Sequence, residues 1–213
     1  MKYPSTALLF PVPACFAYCR FCFRKRLFNP SVKGKEIIKN IESALSFVRT
    51  HPSIDNVLLT GGDPFMAKTV HLHRFLTELR KIDHVKIIRF GTRALVFLPN
   101  RFTSDPELIE LLRENSTPDR RIYIVNHFNH PKEITDESVA AADILIKSGV
   151  ILTNQSVMLR GVNDSPDTLR QLFNNLSARG IAPYYMFQCK FISGSRHFRV
   201  PLHEACRIFT DAT

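Results

Sequence analysis

Short apolar runs alternate along this chain with longer stretches in which apolar residues recur at helical spacing. The runs are rich in Val, Ile, Leu, Phe and Tyr and are nearly continuous, which is typical of parallel strands buried on both faces. They predict six strands, over residues 7–12, 56–60, 85–90, 121–126, 151–158 and 182–188.

The stretches between these runs predict six helices. Two are recognised by their apolar spacing alone, and the others by residues that begin or end helices. They are expected over residues 36–49, over 70–81, from Ser104 as N-cap with Glu107 completing a capping box, from Thr135 to Gly149, from Ser165 to Gly180, and over 202–209.

Strict alternation of strands and helices predicts βαβ units and a parallel sheet in an α/β domain. A doubly wound sheet and a barrel both satisfy this pattern. The 213 residues suffice for one domain with a sizeable core. Because no apolar run reaches about 18 residues and no signal peptide is recognisable, we expect a cytoplasmic protein without a membrane partner.

The net charge of +10 allows two interpretations. Clustered Lys and Arg attract nucleic-acid phosphates, but they also line sites for small anions. The densest cluster, Arg20, Arg24, Lys25 and Arg26, lies among and just after three cysteines. This position favours a small anionic ligand over nucleic acid as the partner.

Cys15, Cys19 and Cys22 have the spacing C-x3-C-x2-C. Three thiolates can hold three irons of a four-iron cluster and leave the fourth open, whereas electron-transfer clusters use four cysteines. A structural zinc site needs four ligands, and no Cys or His follows at finger-like spacing. Buried structural thiols are the remaining alternative. Cys189 and Cys206 are unremarkable as free thiols in a reducing compartment.

Ten short segments, in order along nearly the whole chain, resemble the radical S-adenosylmethionine (radical SAM) superfamily, and within it the lysine 2,3-aminomutase group. The resemblance implies a partial (β/α)6 TIM-like barrel, with the motifs at the C-terminal ends of the strands, where barrel active sites lie. The segments are residues 3–4, 15–26, 58–63, 88–93, 126–131, 154–157, 159–164, 183–185, 188–189 and 197–198.

The resemblance implies a [4Fe-4S] cluster on Cys15, Cys19 and Cys22, with S-adenosylmethionine (SAM) on the open iron. In the family an electron, from a donor such as flavodoxin or ferredoxin, cleaves SAM to a 5′-deoxyadenosyl radical that abstracts hydrogen from the substrate for a 1,2-amino shift. The residues that the resemblance or their polar character assigns to SAM are Phe21, Gly61, Gly62, Asp63, Arg93, His127 and Gln155.

The resemblance also implies pyridoxal phosphate (PLP). Lys2 and Tyr3 stand where the family has an Arg-Tyr pair near PLP, and Asn154 is assigned to it as well. The family's Schiff-base lysine belongs to a glycine-rich stretch beyond the sixth helix that has no counterpart here. We therefore expect residues 1–213 to be one radical SAM core domain, cut at both ends relative to the family, that does not form the PLP imine by itself.

Two cations are assigned to the substrate. Arg24 matches the arginine that holds the substrate carboxylate, and Lys190 stands where lysine aminomutases have an aspartate for the distal ammonium. A cation there favours a glutamate-like amino acid over lysine. The alternatives are a radical SAM enzyme that modifies RNA or a translation factor, and a degenerate cluster-binding remnant without turnover. No catalytic side chain is assigned, and a homo-oligomer stays open.

Overall fold

The computed structural model describes residues 3–24 and 41–213. Six parallel strands form one sheet in chain order, β1 to β6, and each strand pairs with the next. This arrangement confirms the predicted parallel α/β fold. The strands are β1 (Thr6–Val12), β2 (Asn56–Gly61), β3 (Ile87–Gly91), β4 (Ile122–Asn126), β5 (Ile151–Met158) and β6 (Ala182–Gln188).

Eight α-helices connect or follow these strands in the described part of the chain. Residues 36–40 of the first predicted helix lie outside the described residues. Short 3₁₀ turns cover Pro64–Met66, Pro131–Glu133 and Arg196–Phe198. The helices are α1 (Ile41–Arg49), α2 (Thr69–Arg80), α3 (Ala94–Phe97), α4 (Asn100–Thr103), α5 (Pro106–Asn115), α6 (Asp136–Lys147), α7 (Pro166–Ser177) and α8 (Leu202–Ala212).

The connection between β3 and β4 corrects two predictions. It contains α3 and α4 before α5, so one helix per connection is wrong here. The N-cap of α5 is Asp105 and not Ser104, because the Asp105 carboxylate accepts the Leu108 N–H at 2.9 Å and Pro106 opens the helix. Ser104 instead ends α4. An Asp-Pro pair is the stronger start signal than the apparent capping box.

The predicted ends of the fourth and fifth helices are confirmed, whereas the last helix, expected over 202–209, extends to Ala212. The hydroxyls of Thr135 and Ser165 accept backbone N–H groups in the first turns of α6 and α7. Gly149 and Gly180 follow the same helices with φ of 82° and 74°, the left-handed region that glycine adopts without strain.

The hydrophobic core lies between the outer face of the sheet and the helices. Phe65 packs against Phe90 and Phe102, with ring centroids 5.1 and 4.9 Å apart. All three rings are fully buried, and each such ring stabilises the fold by about 2–3 kcal/mol. Side chains of β5 alternate between buried and partly exposed along its length. One face of this strand therefore packs in the core, and the opposite face is open. The C-terminal strand ends meet at one edge of this open face.

In the described part of the chain, no helix is both long and apolar enough to cross a membrane.

Candidate active site

The cysteine loop begins three residues after β1. Cys15, Cys19 and Cys22 are each partly exposed, and none forms a disulfide. Burial raises the pKa of Cys15, while hydrogen bonds from the amides of Ala17 and Tyr18 oppose that rise. Tyr18 has a left-handed φ of 40°, which turns the backbone around the Cys15 sulfur. The loop is therefore shaped to hold sulfur atoms beside N–H donors.

The two glycines that end β2 bring this loop close. The Asp63 N–H donates to the Ala14 carbonyl at 3.0 Å. A Cβ atom on Gly62 would lie 1.9 Å from that carbonyl oxygen, and one on Gly61 would lie 2.9 Å from the Phe10 ring. Gly61 also has a φ of 115°. Because these glycines have no side chains, the Ala14 carbonyl can lie against Gly62 and the Phe10 ring of β1 can lie against Gly61.

Asp63 connects the end of β2 to the end of β3. Its carboxylate accepts hydrogen bonds from the Thr92 hydroxyl and the Arg93 N–H, each at 2.8 Å, and from the Phe65 N–H at 3.1 Å. Burial raises the pKa of Asp63 to about 6, although these donors favour the ionised form. The side chain is 2% exposed, so its carboxylate is committed to protein groups.

Arg93 lies at the centre of the site, just after β3. Its Nη1 donates to the Cys19 sulfur at 2.9 Å, its Nη2 to Glu133 Oε1 at 2.8 Å, and its Nε to the His127 carbonyl at 2.9 Å. Glu133 also accepts the Asn129 N–H at 2.6 Å. One guanidinium therefore joins the cysteine loop to the connection after β4.

His127 is a neutral imidazole. Burial, with a smaller effect of the neighbouring Arg93 charge, lowers the pKa of His127 to about 3. Its Nε2 lies 3.1 Å from Asn129 Oδ1, which also accepts the Val157 N–H. Because that oxygen is an acceptor, Nε2 must carry the proton, and Nδ1 offers a lone pair. Asn129 Nδ2 is a buried donor without a partner among the described residues.

Aromatic rings form one wall beside His127. The centroid of Phe21 is 5.7 Å from His127 and 6.2 Å from Phe198, both edge to face. The Arg93 guanidinium lies 5.7 Å from the Phe21 centroid. Phe21, the residue just before the third cysteine, thus packs against the end of β4 and the turn before α8.

A second cluster of cations surrounds Phe23. Lys190 Nζ lies 4.3 Å from the ring centroid and the Arg24 guanidinium 4.6 Å from it. Arg24 Nη1 also donates to the Thr60 hydroxyl, at the end of β2, at 3.2 Å. The two residues assigned to the substrate are therefore brought together on one ring, although they are far apart in the chain.

Comparison with known proteins identifies the family. The profile of the Radical SAM superfamily matches residues 9–172. The chain belongs to the radical SAM superfamily. A putative L-lysine 2,3-aminomutase of Aquifex aeolicus is 44% identical over 95% of this chain and 54% of its own length. L-lysine 2,3-aminomutase of Clostridium subterminale is 39% identical over 97% and 48%. The radical SAM chain spans about half the length of these relatives.

Solved structures agree on the fold. Native anSMEcpe with bound AdoMet superimposes with a TM-score of 0.68 at 14% identity, covering 97% of this chain and 59% of that one. A radical SAM methyltransferase from Sphaerobacter thermophilus gives 0.62 at 17% identity, covering 97% and 62%. These similarities, with the six-stranded parallel sheet, confirm the partial barrel of a radical SAM protein.

The donor set of this radical SAM chain fits an iron–sulfur cluster. All three thiols are partly exposed, and two of them face N–H donors of the protein. Within residues 3–24 and 41–213, no three His, Cys, Asp or Glu side chains converge closely enough to hold a single metal ion. In a cluster each thiolate binds a different iron, so convergence on one point is not required.

Two of the three residues assigned to PLP lie in the described structure, Tyr3 and Asn154, and both have protein partners. The Asn154 amide is used by the Phe128 backbone, at 2.8 and 3.2 Å, and by the Ser156 hydroxyl at 2.9 Å. Tyr3 is exposed and hydrogen-bonds Tyr185 of β6, while Lys2 lies outside the described residues. Gln155, assigned to SAM, is half-exposed on β5 and faces away from the side of Asn154.

Several residues of the site have no role in the sequence interpretation. Asn129 lies inside the segment 126–131 that carries the resemblance, so its polarity was a usable signal. Asn163 donates to the carbonyls of Asn129 and Val157, at 2.9 Å each. Phe198 lies in the segment 197–198 that also carries the resemblance, although no role is assigned to it there. Glu133 is identified only by its contact with Arg93, because no local pattern marks it.

Proposed function

We propose that this chain is the catalytic core of a radical SAM enzyme that performs a 1,2-amino shift on an amino acid, with a glutamate-like substrate favoured over lysine. The observation that carries the proposal is the cysteine loop, in which Arg93 donates to the Cys19 sulfur and two amides donate to Cys15. The relatives named L-lysine 2,3-aminomutase support the reaction type.

Cys15, Cys19 and Cys22 would hold the [4Fe-4S] cluster. When bound and reduced, the cluster supplies the electron that cleaves SAM to a 5′-deoxyadenosyl radical. The chain's own groups orient the ligand and exclude water. Phe21 would lie against the adenine, the neutral His127 would accept a hydrogen bond at Nδ1, and Asn129 Nδ2 would donate one.

Charge supports the choice of substrate. Arg24 and Lys190 flank the ring of Phe23, so two cations are available to one small molecule. A guanidinium suits the α-carboxylate and an ammonium suits a second carboxylate as a point charge. Lysine would bring its own ammonium towards Lys190, which costs electrostatic free energy. A dicarboxylic amino acid matches both cations.

A redox cluster implies an electron donor and a reducing compartment. A reduced cluster needs an electron donor such as flavodoxin or ferredoxin, and five free thiols suit a reducing cytoplasm. The family's PLP would act on the substrate amino group.

The cluster and SAM cleavage are tested by anaerobic reconstitution. We expect about four irons per chain, and release of 5′-deoxyadenosine when dithionite and SAM are added. Cys19→Ser should abolish the release, whereas Cys206→Ser, on the exposed face of α8, should leave it unchanged. An intact cluster that releases no 5′-deoxyadenosine would indicate a degenerate remnant and refute the proposal.

Substrate class is tested by ligand binding to the reconstituted protein with SAM. We expect wild type to prefer glutamate to lysine, and Lys190→Asp to change the ratio of the two affinities by at least about tenfold, or about 1.4 kcal/mol. Lys86→Asp, at the opposite end of the barrel, is the matched charge control. An unchanged ratio in Lys190→Asp would remove Lys190 from the substrate site.

A further inference from the structure

We propose that Arg93 is a positioning residue of the cluster: it holds the Cys19 thiolate and, balanced by Glu133, sets the cluster's reduction potential. This inference rests on the proposed function, because it requires a cluster on Cys19. It also reassigns Arg93, which the sequence interpretation gives to SAM.

The contacts of the guanidinium carry this assignment. Each of its three nitrogens has its own protein acceptor: the Cys19 sulfur, the Glu133 carboxylate and the His127 carbonyl. The side chain is only 9% exposed. Aromatic rings cover it as well, with Phe97 at 4.7 Å and Phe21 at 5.7 Å from the guanidinium carbon. Three of its five N–H groups are therefore engaged by protein acceptors, and together they hold the guanidinium against the Cys19 sulfur.

The electrostatic consequence has a definite sign. Reduction adds one negative charge to a cluster, and hydrogen bonds or positive charge at its sulfurs stabilise the reduced form. The Arg93 guanidinium places a positive charge and an N–H donor directly at the Cys19 sulfur. Arg93 therefore raises the reduction potential through Cys19.

Glu133 acts in the opposite direction. Its carboxylate lies 2.8 Å from Arg93 Nη2 and partly neutralises the guanidinium. It is held by the Asn129 N–H as well, so it stays in place when the charge of Arg93 is removed. The potential depends on the difference between the two charges, and each can be altered separately.

Arg101 provides a matched control. It is another half-buried arginine, in α4, with an ion pair to Asp105 and hydrogen bonds to the backbone of Phe65 and Ala67. Its side chain is 14% exposed, close to the value for Arg93. It contacts no cysteine, so its removal reproduces the structural cost without the effect on the cluster.

The experiment is a redox titration of the reconstituted cluster, followed by its EPR signal, without SAM or substrate. We expect Arg93→Gln to shift the potential to a more negative value, and Arg93→Lys, which keeps the charge, to shift it less. Glu133→Gln should shift it to a more positive value. Arg101→Gln should leave it unchanged, and iron content normalises each variant for cluster loading.

Unchanged potentials in Arg93→Gln and Glu133→Gln would overturn the inference. If Arg93→Gln holds no cluster, Glu133→Gln decides: a positive shift supports the assignment, and no shift or a negative one refutes it. Wild type without any cluster overturns both proposals. Normal potentials in all variants together with SAM cleavage overturn only this inference, and the expected shifts without SAM cleavage overturn only the proposed function.

Discussion

The two ends of the barrel use arginine differently. At the C-terminal strand ends, Arg93 contacts a sulfur, a carboxylate and a carbonyl. At the N-terminal ends, Arg120 donates to the carbonyls of Val85, Ile82 and Arg80, and Arg80 donates to those of Asn115 and Arg120. Within the described residues, neither Arg80 nor Arg120 has a carboxylate partner.

We infer from this difference that the arginines at the N-terminal end contribute to stability, whereas Arg93 at the C-terminal end belongs to the active site. Burial, with a smaller effect of the Arg120 charge, lowers the pKa of Arg80 to about 10, so Arg80 stays charged at neutral pH. Arg80 and Arg120 cross-link the connection before β3 to the connection before β4. They lie at the opposite ends of the strands from the cysteine loop. In barrels the N-terminal face contributes stability and the C-terminal face carries the active site.

The largest expected loss of stability comes from a substitution at the C-terminal ends of the strands. Gly62→Ala places a methyl group 1.9 Å from the Ala14 carbonyl oxygen, where only backbone can move. We expect a loss of more than about 4 kcal/mol in the free energy of unfolding, and reduced iron content. Urea denaturation and iron analysis measure both. Gly161→Ala, with open space around its Cβ and a φ of 72°, should cost only about 1 kcal/mol; equal costs would contradict the close contact.

Arg120→Met should destabilise the protein by about 3 kcal/mol, because the carbonyls of Val85 and Arg80 lose the Arg120 donor, while that of Ile82 keeps the Val85 N–H. The cluster's potential and EPR signal should stay those of wild type. Urea denaturation combined with the redox titration gives both quantities. A shifted potential would show that the two ends are coupled and would contradict the comparison.

The raised pKa of Asp63 makes the free energy of unfolding depend on pH. Its pKa is about 6 in the folded protein against 3.8 as reference, so the folded state binds the proton more tightly. Stability contributed by this group is present below about pH 4 and is lost as pH rises through 6. Relative to Asp63→Asn, which does not titrate, wild type should lose up to about 3 kcal/mol across this range. Urea denaturation at several pH values measures the difference, and a rising curve would refute the sign.

The smallest expected effect is that of Arg121→Met. Arg121 Nη1 donates to the Gly149 carbonyl at 3.0 Å and more weakly to that of Ser116 at 3.5 Å. We expect a loss of about 1 kcal/mol, since one good hydrogen bond is removed and the hydroxyl of Ser116 still donates to the Gly149 carbonyl. Thermal denaturation beside Arg120→Met is the check. A loss equal to that of Arg120→Met would show that carbonyl contacts do not determine stability at this end.

The fold follows largely from local patterns. Apolar runs locate all six strands within two residues. The burial on both faces that such runs indicate is wrong for β5, whose side chains alternate, and for β6, whose side chains are mostly exposed. Gly149 and Gly180 mark the ends of two helices in the sequence, because glycine readily adopts the left-handed φ that follows a helix. The short helices α3 and α4 are not predicted, since four residues give no measurable period.

The site is predictable only in part. Cysteine spacing marks the loop, and the C-terminal strand ends explain why Arg93 and His127 meet. The partners of each side chain depend on tertiary distance: Glu133 is 40 residues from Arg93, and no sequence signal links them. Likewise Asn154 and Gln155 look equivalent in sequence, but strand alternation buries the first and leaves the second half-exposed.

The contact between Gly62 and Ala14 also orders events during synthesis. The segment that carries the three thiols is held by the turn after β2 and, through Arg93, by the end of β3. We therefore expect the sulfurs to reach their final spacing only after the ribosome has released both, so that iron delivered to a shorter nascent chain would meet a peptide without a formed site.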